Sequence, residues 1–318
     1  MRIPLESPGG LVIFRKTAVL AIALALIGGA VFWFLTMPRT LAASDLPDHL
    51  PDAVNGAYMF AAGGCTSCHA APGAKGDEKL ALAGGLVLAT PFGDFTVPNI
   101  SPDREHGIGA WTLAEFVTSM KLGIGRNGEH LYPAFPYTAY QRMRVEDIID
   151  IKAYLDTLPQ VATSAPPHDL SFPFNIRRGL GLWQLLYVDG KTLEPDPDKS
   201  AELNRGAYLV RGPGHCGQCH SPRNFFGGII ASRAYSGGPA TEGDGTIPNL
   251  TPDPETGIGD WSAAEIAESL ATGFKPDFDS FGSSMADVQE NMAMLTPEDR
   301  DAIAGYLKSL PPIRSATN

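Results

Sequence analysis

The longest uninterrupted apolar stretch of the 318-residue chain lies near its N-terminus, at 17–37, and carries no charge. As a helix these residues would span about 31 Å, enough to cross the hydrocarbon core of a membrane. Arg15 and Lys16 precede the stretch and only Arg39 follows it closely, so we expect residues 1–16 to stay in the cytoplasm. A cleaved signal peptide is the alternative, but the stretch is longer than the usual signal-peptide core, so we favour an uncleaved anchor.

Beyond this stretch, apolar residues recur with the period of an amphipathic helix in four segments, namely 112–122, 145–158, 262–272 and 296–310. Two of them open with the hydroxyl and carboxylate residues of a capping box, Thr112 with Glu115 and Ser262 with Glu265. No segment shows the sustained two-residue alternation of a strand. The pattern therefore predicts an all-α fold with long loops.

The chain repeats itself at an offset of about 150 positions. The block Val97–Asp103 recurs as Ile247–Asp253, and Gly107–Thr112 recurs as Gly257–Ser262. The repeat predicts two domains, at 53–160 and 201–318, behind a tether at 38–52. The connection at 161–200 carries too many large apolar residues for a flexible spacer, so we expect it to pack across both domains.

Composition narrows the class of protein. Hydrophobic residues make up 44% and charged residues 19% of the chain, as in globular proteins. The net charge of −11 argues against nucleic acid as a partner. An acidic surface would suit docking to a basic patch on a redox protein, although it is also a common means of staying soluble.

All four cysteines lie in two C-x-x-C-H motifs, Cys65–His69 and Cys216–His220. This spacing is the attachment signature of haem c, in which Cys65, Cys68, Cys216 and Cys219 would add to the haem vinyl groups. The adjoining His69 and His220 would each bind an iron. A four-cysteine zinc site would have to join pairs too far apart in sequence, and a redox dithiol would not require the histidines.

Two haems c therefore are the predicted cofactors. Because haem is attached to such proteins on the outer face of the bacterial membrane, we expect a single-pass inner-membrane protein with its haem domains in the periplasm.

The proline loops after each motif resemble part of the class I cytochromes c. Pro98-Asn99-Ile100 and Pro248-Asn249-Leu250 are similar to the Gly-Pro-Asn-Leu turn of that family. The resemblance implies that the carbonyls of Pro98 and Pro248 accept the N–H groups of the two motif histidines; a merely rigid turn is the alternative. It also implies that Met285, in a Gly/Ser loop before the last helix, is the sixth ligand of the second iron.

The sixth ligand of the first iron is harder to assign. The repeat places Phe135 at the position that corresponds to Met285, and phenylalanine cannot bind iron. Met143, just before the closing helix, is our preferred ligand and His130 is the alternative. An open or water-bound iron is the third possibility.

Both repeats contain P-N-(I/L)-(S/T)-P-D-x-x-x-G-I-G-x-W, at Pro98–Trp111 and Pro248–Trp261. In this the chain resembles the membrane-anchored cytochrome c subunits of bacterial alcohol, gluconate and aldehyde dehydrogenases, which implies two tandem class I cytochrome c domains. The chain departs from that group in two ways. It has two haem motifs where three are common, and the family's Tyr-Pro-Ala-Met-Pro-Tyr is replaced at Tyr132–Tyr137 by a sequence with Phe135.

The resemblance implies an electron-transfer subunit rather than a catalyst. A periplasmic dehydrogenase would be the electron donor, and a quinone, an oxidase or a soluble cytochrome the acceptor. The alternative is a dihaem enzyme of the peroxidase or thiosulfate-oxidising type, with an open or displaceable ligand at the first haem. A ligand-sensing haem module is a third and weaker hypothesis.

Overall fold

The computed structural model describes residues 8–241, 243 and 245–316. Its α-helices are α1 Pro8–Leu35, α2 Ala53–Ala62, α3 Cys65–His69, α4 Leu113–Leu122, α5 Tyr137–Tyr140, α6 Val145–Leu155, α7 Leu180–Tyr187, α8 Ala201–Arg211, α9 Ala263–Thr272, α10 Ser284–Met292 and α11 Pro297–Lys308. Its strands are β1 Val87–Thr90, β2 Gly93–Thr96, β3 Asp169–Leu170, β4 Gly238–Pro239 and β5 Thr246–Ile247. Residues 1–7 of the predicted cytoplasmic segment and the last two of 201–318 lie outside the described residues.

Helix α1 contains the apolar stretch near the N-terminus. Among the described residues, Phe14–Leu35 is the one helical segment long and apolar enough to cross a membrane. The helix ends two residues before the predicted limit of 37, because Thr36 and Arg178 satisfy its last carbonyls. The Thr36 hydroxyl donates to Phe32 O at 2.7 Å, and the Arg178 guanidinium donates to Trp33 O at 2.9 Å.

Each repeat is built on a pair of closely crossed helices. Helix α2 packs on α6, and α8 packs on α11. A glycine stands at each crossing: a Cβ on Gly56 would lie 1.9 Å from Asp150 O, and one on Gly206 would lie 1.9 Å from Ala302 O. Only glycine permits so close an approach of two backbones.

The predicted capping boxes are confirmed in both repeats. The Thr112 hydroxyl accepts from Glu115 N and the Glu115 carboxylate accepts from Thr112 N, and Ser262 with Glu265 does the same. The helices that follow, α4 and α9, end at glycines with positive φ, as helix ends commonly do.

Two small sheets correct the all-α prediction. Strand β1 pairs antiparallel with β2, β3 extends that sheet along β2, and β4 pairs with β5. The strands have two to four residues, too short to show alternation in the sequence. Strands β2 and β3 approach closely at Gly93 (φ 118°), since a Cβ there would lie 2.4 Å from Asp169 O.

The connection at 161–200 touches both repeats. It supplies β3 to the sheet of the first repeat, and its α7 binds there as well through the Gln184 amide, which donates to Gly123 O at 2.9 Å. On the other side, the Trp183 indole N–H donates to Phe226 O of the second repeat at 2.8 Å.

The two repeats exchange equivalent hydrogen bonds. The Tyr58 hydroxyl of α2 donates to Asp299 at the start of α11, at 2.5 Å, and the Tyr208 hydroxyl of α8 donates to Asp147 of α6. The Arg205 guanidinium also donates to Asp299, at 2.6 and 2.8 Å. Because these contacts are reciprocal, the first helix of each repeat is bonded to the closing helix of the other.

We expect Gly206→Ala to lower the free energy of unfolding by about 1–3 kcal/mol, because the added methyl group forces α8 away from α11. Gly305→Ala in α11 is the matched control, since the nearest atom to its added Cβ is 3.8 Å away. Alanine there should stabilise the helix by about 0.5–1 kcal/mol. Thermal unfolding in detergent, followed by circular dichroism, measures both; equal midpoints for the two variants would refute the crossing constraint.

Candidate haem-binding sites

The first C-x-x-C-H motif forms helix α3, directly after α2. Gly63 ends α2, and Gly64 turns the chain with φ 56° into Cys65. In the second motif His215 takes that left-handed position, with φ 37°, ahead of the 3₁₀ turn Cys216–Gln218. In both motifs the first cysteine is partly buried and the second exposed, and neither pair forms a disulfide.

Both motif histidines are held in the same orientation. His69 Nδ1 lies 2.9 Å from Pro98 O, and His220 Nδ1 lies 2.8 Å from Pro248 O. A carbonyl oxygen can only accept, so Nδ1 carries the proton in each ring and Nε2 keeps its lone pair for a metal. The histidines and prolines named by the motif thus lie in the geometry that a ligating imidazole requires.

Burial favours the neutral histidines that iron ligation requires and the neutral thiols of both first cysteines. Burial lowers the pKa of His69 to about 4, against the opposing effect of its bond to Pro98, and it also lowers the pKa of His220. Both rings are therefore neutral at neutral pH. Burial raises the pKa of the Cys65 and Cys216 thiols to about 12.

The proline loops are held by residues that sequence reasoning missed. Gly84 N donates to His69 O at 2.8 Å, and a Cβ on Gly84 would lie 2.5 Å from the carbonyl carbon of Pro98. Gly237 does the same in the second site, donating to His220 O at 3.0 Å. Both have positive φ. No repeated block marks them, because the loops before the prolines differ in length.

The asparagines of the same loops tie each site to the segment after its closing helix. The Asn99 amide donates to Val161 O at 2.7 Å, and the Asn249 amide donates to Ile313 O at 2.7 Å. Each asparagine also accepts from the backbone N–H two residues later, at 2.8 Å. The Pro-Asn pair is therefore positioned from both sides.

The loops that carry Phe135 and Met285 share their backbone hydrogen bonds. Ile124 bridges His130 in the first repeat, as Phe274 bridges Ser280 in the second. The following residues, Leu131 and Phe281, donate to Gly123 O and Gly273 O at 2.8 Å. These bonds support the offset of 150 that aligns Phe135 with Met285. Met285 is partly exposed in the first turn of α10, and the ring of Phe135 packs tilted against Tyr140, with ring centroids 5.5 Å apart.

The two predicted ligands of the first iron lie in different surroundings, Met143 in the apolar core and His130 in a polar contact. Met143 is fully buried, its Cγ would lie 3.4 Å from a Cβ on Gly212 of the second repeat, and Lys121 Nζ donates to its carbonyl at 2.9 Å. His130 Nδ1 lies 2.6 Å from Gln184 Oε1, and its Nε2 lies 2.9 Å from Thr36 O. Ligation by Met143 stays a prediction, because neither of its contacts is made by the sulfur, whereas the contacts of both ring nitrogens argue against His130.

Two further residues join the motifs across the repeat interface. His215 Nε2 lies 3.3 Å from Gly63 O, and its ring packs edge-on against Tyr140. Asn291 of α10 accepts from the Thr66 hydroxyl and donates to the Ser67 hydroxyl, both at 3.0 Å. His215 directly precedes Cys216, and Gly63 lies two residues before Cys65, so this hydrogen bond links the chain beside the two motifs. The position of His215 next to Cys216 was the sequence signal that could have indicated a contact between the motifs.

Comparison with known proteins agrees with this geometry. Residues 53–159 match the cytochrome c family. A dihaem c-type cytochrome of Cereibacter sphaeroides is 48% identical over 299 residues, which cover 94% of this chain and 99% of the relative. The chain belongs to the dihaem c-type cytochromes. It carries two covalently bound haems c.

The cytochrome is also similar to subunits of larger assemblies. The fructose dehydrogenase cytochrome subunit of Gluconobacter japonicus is 37% identical over 83% of this chain, and the cytochrome c subunit of the quinone alcohol dehydrogenase of Komagataeibacter europaeus is 38% identical over 81%. The cytochrome spans 53% and 56% of the length of these relatives.

We expect Asn291→Ala to destabilise the cytochrome by about 1–3 kcal/mol, because the buried Thr66 hydroxyl loses its partner. Glu290→Ala on the same helix is the control. The exposed Glu290 carboxylate also bridges the repeats, 2.6 Å from Lys79 Nζ, but its loss should cost only about 0–1 kcal/mol. Denaturant unfolding in detergent measures both, and a larger loss for Glu290→Ala would contradict the assignment.

Proposed function

We propose that the cytochrome is a membrane-anchored dihaem electron carrier with tandem class I domains at 53–160 and 201–318. It takes electrons from a periplasmic dehydrogenase and passes them to a quinone, an oxidase or a soluble cytochrome. The observation that carries the proposal is the duplicated site, in which two histidines are oriented identically by proline carbonyls. One-electron transfer is the chemistry that haem c supplies in such a site.

The position of the sites supports transfer between them. Thr66 and Ser67 of the first motif bind Asn291 of the second repeat, and His215 beside the second motif reaches Gly63 beside the first. These contacts hold the two attachment sites together in one rigid unit. A carrier needs such a fixed separation, because the pair must exchange electrons without rearrangement.

The hydrogen bonds at the end of α1 support an anchor that is not cleaved on export. The Thr36 carbonyl lies 2.9 Å from His130 Nε2, and the Thr36 hydroxyl accepts from Arg178 at 2.8 Å. A signal peptide removed on export would leave these partners in the haem-bearing part of the chain without their bonds. We therefore infer a single-pass inner-membrane protein with cytoplasmic residues 1–16 and periplasmic haem domains.

The electron-carrier proposal can be tested in membranes that contain the cytochrome. The relatives' names supply the probes, namely ethanol, fructose, gluconate and nicotinate. We expect one of these substrates to reduce both haems, and oxygen to reoxidise them, in difference spectra that are absent from membranes lacking the chain. Reduction of both haems by dithionite but of neither by any of the four substrates would contradict a donor of this class.

A second candidate function rests on Phe135. With phenylalanine at the methionine position and both ring nitrogens of His130 bonded elsewhere, we propose as the alternative that the first iron has no methionine ligand. An exogenous small molecule could then reach it, as in a dihaem enzyme of the peroxidase or thiosulfate-oxidising type. Phe135 packs against Tyr140, whose hydroxyl lies near Gly63 O at 3.5 Å, so aromatic side chains crowd this side of the first motif.

Substitution of the second methionine tests the ligand assignment. Met285→Ala should abolish the methionine–iron charge-transfer band and lower the potential of one haem, since methionine ligation raises the potential. Phe135→Met should add such a band for the other haem. Met294→Ala is the control, because Met294 is 68% exposed. A band that survives Met285→Ala would remove Met285 from the site.

Carbon monoxide separates the two candidate functions. If the first iron is open, the fully reduced wild-type cytochrome should bind carbon monoxide at one of its two haems, and Phe135→Met should prevent it. Met143→Ala and His130→Ala should leave the spectrum unchanged. Loss of a charge-transfer band in Met143→Ala would instead identify Met143 as the ligand, and no binding by wild type would favour the carrier with two six-coordinate irons.

A further inference from the structure

An exposed apolar surface lies on the connection between the repeats. It is formed by α7, the segment before it and one turn of the second repeat, and we call it the α7 surface. Phe225 is 93%, Phe172 78% and Leu186 70% exposed, and Ile176, Leu185 and Phe226 are exposed beside them. Soluble proteins rarely leave so many large apolar side chains together in water.

The α7 surface is held as one piece by contacts beneath it. The Trp183 indole donates to Phe226 O at 2.8 Å, which fastens the turn of the second repeat to α7. Phe174 packs on Phe92 of the first repeat, with ring centroids 4.8 Å apart. The inner side of α7 is occupied by Gln184, which is buried against Gly123 and His130. The exposed side chains are thus presented by a rigid support.

The charge of this region differs from that of the whole protein. Residues 170–188 contain Arg177 and Arg178 and no acidic residue, and residues 221–241 contain Arg223 and Arg233 and no acidic residue. The whole chain has a net charge of −11. Asp169 and Asp189 border the first of these segments, so arginine is the charged residue within the surface but not the only one at its edge. An apolar surface that carries arginine is a composition that binds the boundary between lipid headgroups and acyl chains.

The α7 surface is continuous with the outer end of α1. The Arg178 guanidinium lies 4.1 Å from the centroid of the Trp33 ring and donates to Trp33 O and to the Thr36 hydroxyl. Gly181 in the first turn of α7 packs so closely on Thr36 that a Cβ would lie 2.7 Å from the Thr36 Cβ. A membrane crossed by Phe14–Leu35 therefore ends at the level of α7.

We propose that the α7 surface rests in the outer leaflet of the membrane crossed by α1, with its apolar side chains below the headgroups and its arginines among the phosphates. The inference rests on the proposed membrane anchor and goes beyond it, because it places part of the haem-bearing structure itself in the lipid. With α7 seated, both haems keep a constant height and orientation above the bilayer. Trp33 and Phe34 at the end of α1 belong to the same interfacial layer.

Photo-crosslinking to lipid tests this seating in the full-length, haem-loaded cytochrome. The protein is reconstituted in nanodiscs of phosphatidylethanolamine and phosphatidylglycerol, with benzoylphenylalanine in place of Leu186, Phe226, Phe278 or Val31. Phe278 is the matched control, since it is an 89% exposed phenylalanine flanked by Asp277 and Asp279. Val31, within the span and four residues before its outer end, reports insertion of α1 by itself. An unchanged haem spectrum shows that each variant is folded.

We expect phospholipid adducts, detected by mass, at positions 31, 186 and 226 and none at 278. Adducts at 31 but not at 186 or 226 would overturn the seating and leave the anchor intact. No adduct at any position would overturn the anchor as well. Crosslinks from 186 and 226 to a protein, rather than to lipid, in native membranes would show that a dehydrogenase subunit covers this surface instead, and would also overturn the proposal.

Discussion

The close crossing of two helices at a glycine is the constraint on which each repeat depends. At Gly56 the backbone of α2 touches that of α6, and at Gly206 the backbone of α8 touches that of α11, with no room for a methyl group between them. Each haem motif follows the first helix of its pair within three to five residues. The crossing therefore sets where the cysteines and the histidine stand relative to the closing helix.

The same helices join the repeats to each other. Tyr58 lies two residues after Gly56, and Tyr208 two residues after Gly206, so each tyrosine leaves the crossing toward the closing helix of the other repeat. There it meets a carboxylate, Asp299 or Asp147. Burial and the Asp299 carboxylate raise the pKa of Tyr58, which keeps this hydroxyl a donor across the physiological pH range. A short Gly-Ala-Tyr sequence thus serves both the fold of a repeat and its pairing.

Within this symmetric frame the two sites are not equivalent. The histidine side of each is the same to within 0.1 Å in the bond from Nδ1 to the proline carbonyl. The loops that the repeat aligns differ, because Phe135 stands in the first where Met285 stands in the second. The first repeat also receives the end of α1 and the inner face of α7, where His130 joins Thr36 to Gln184. The repeat nearer to the proposed membrane surface is therefore the one in which phenylalanine stands at the methionine position.

Local signals in the sequence were sufficient for the repeat, the haem motifs, the apolar helix and the capping boxes, because each depends on residues close together in the chain. The short strands were missed, since two to four residues carry no periodicity, and β3 comes from a segment about 75 residues away from its partner. The contacts of His130, His215 and Asn291 were decided by tertiary structure alone. Each depends on partners at least 50 residues away in the chain. The spacing of residues along the chain does not indicate which distant residue a buried side chain will contact.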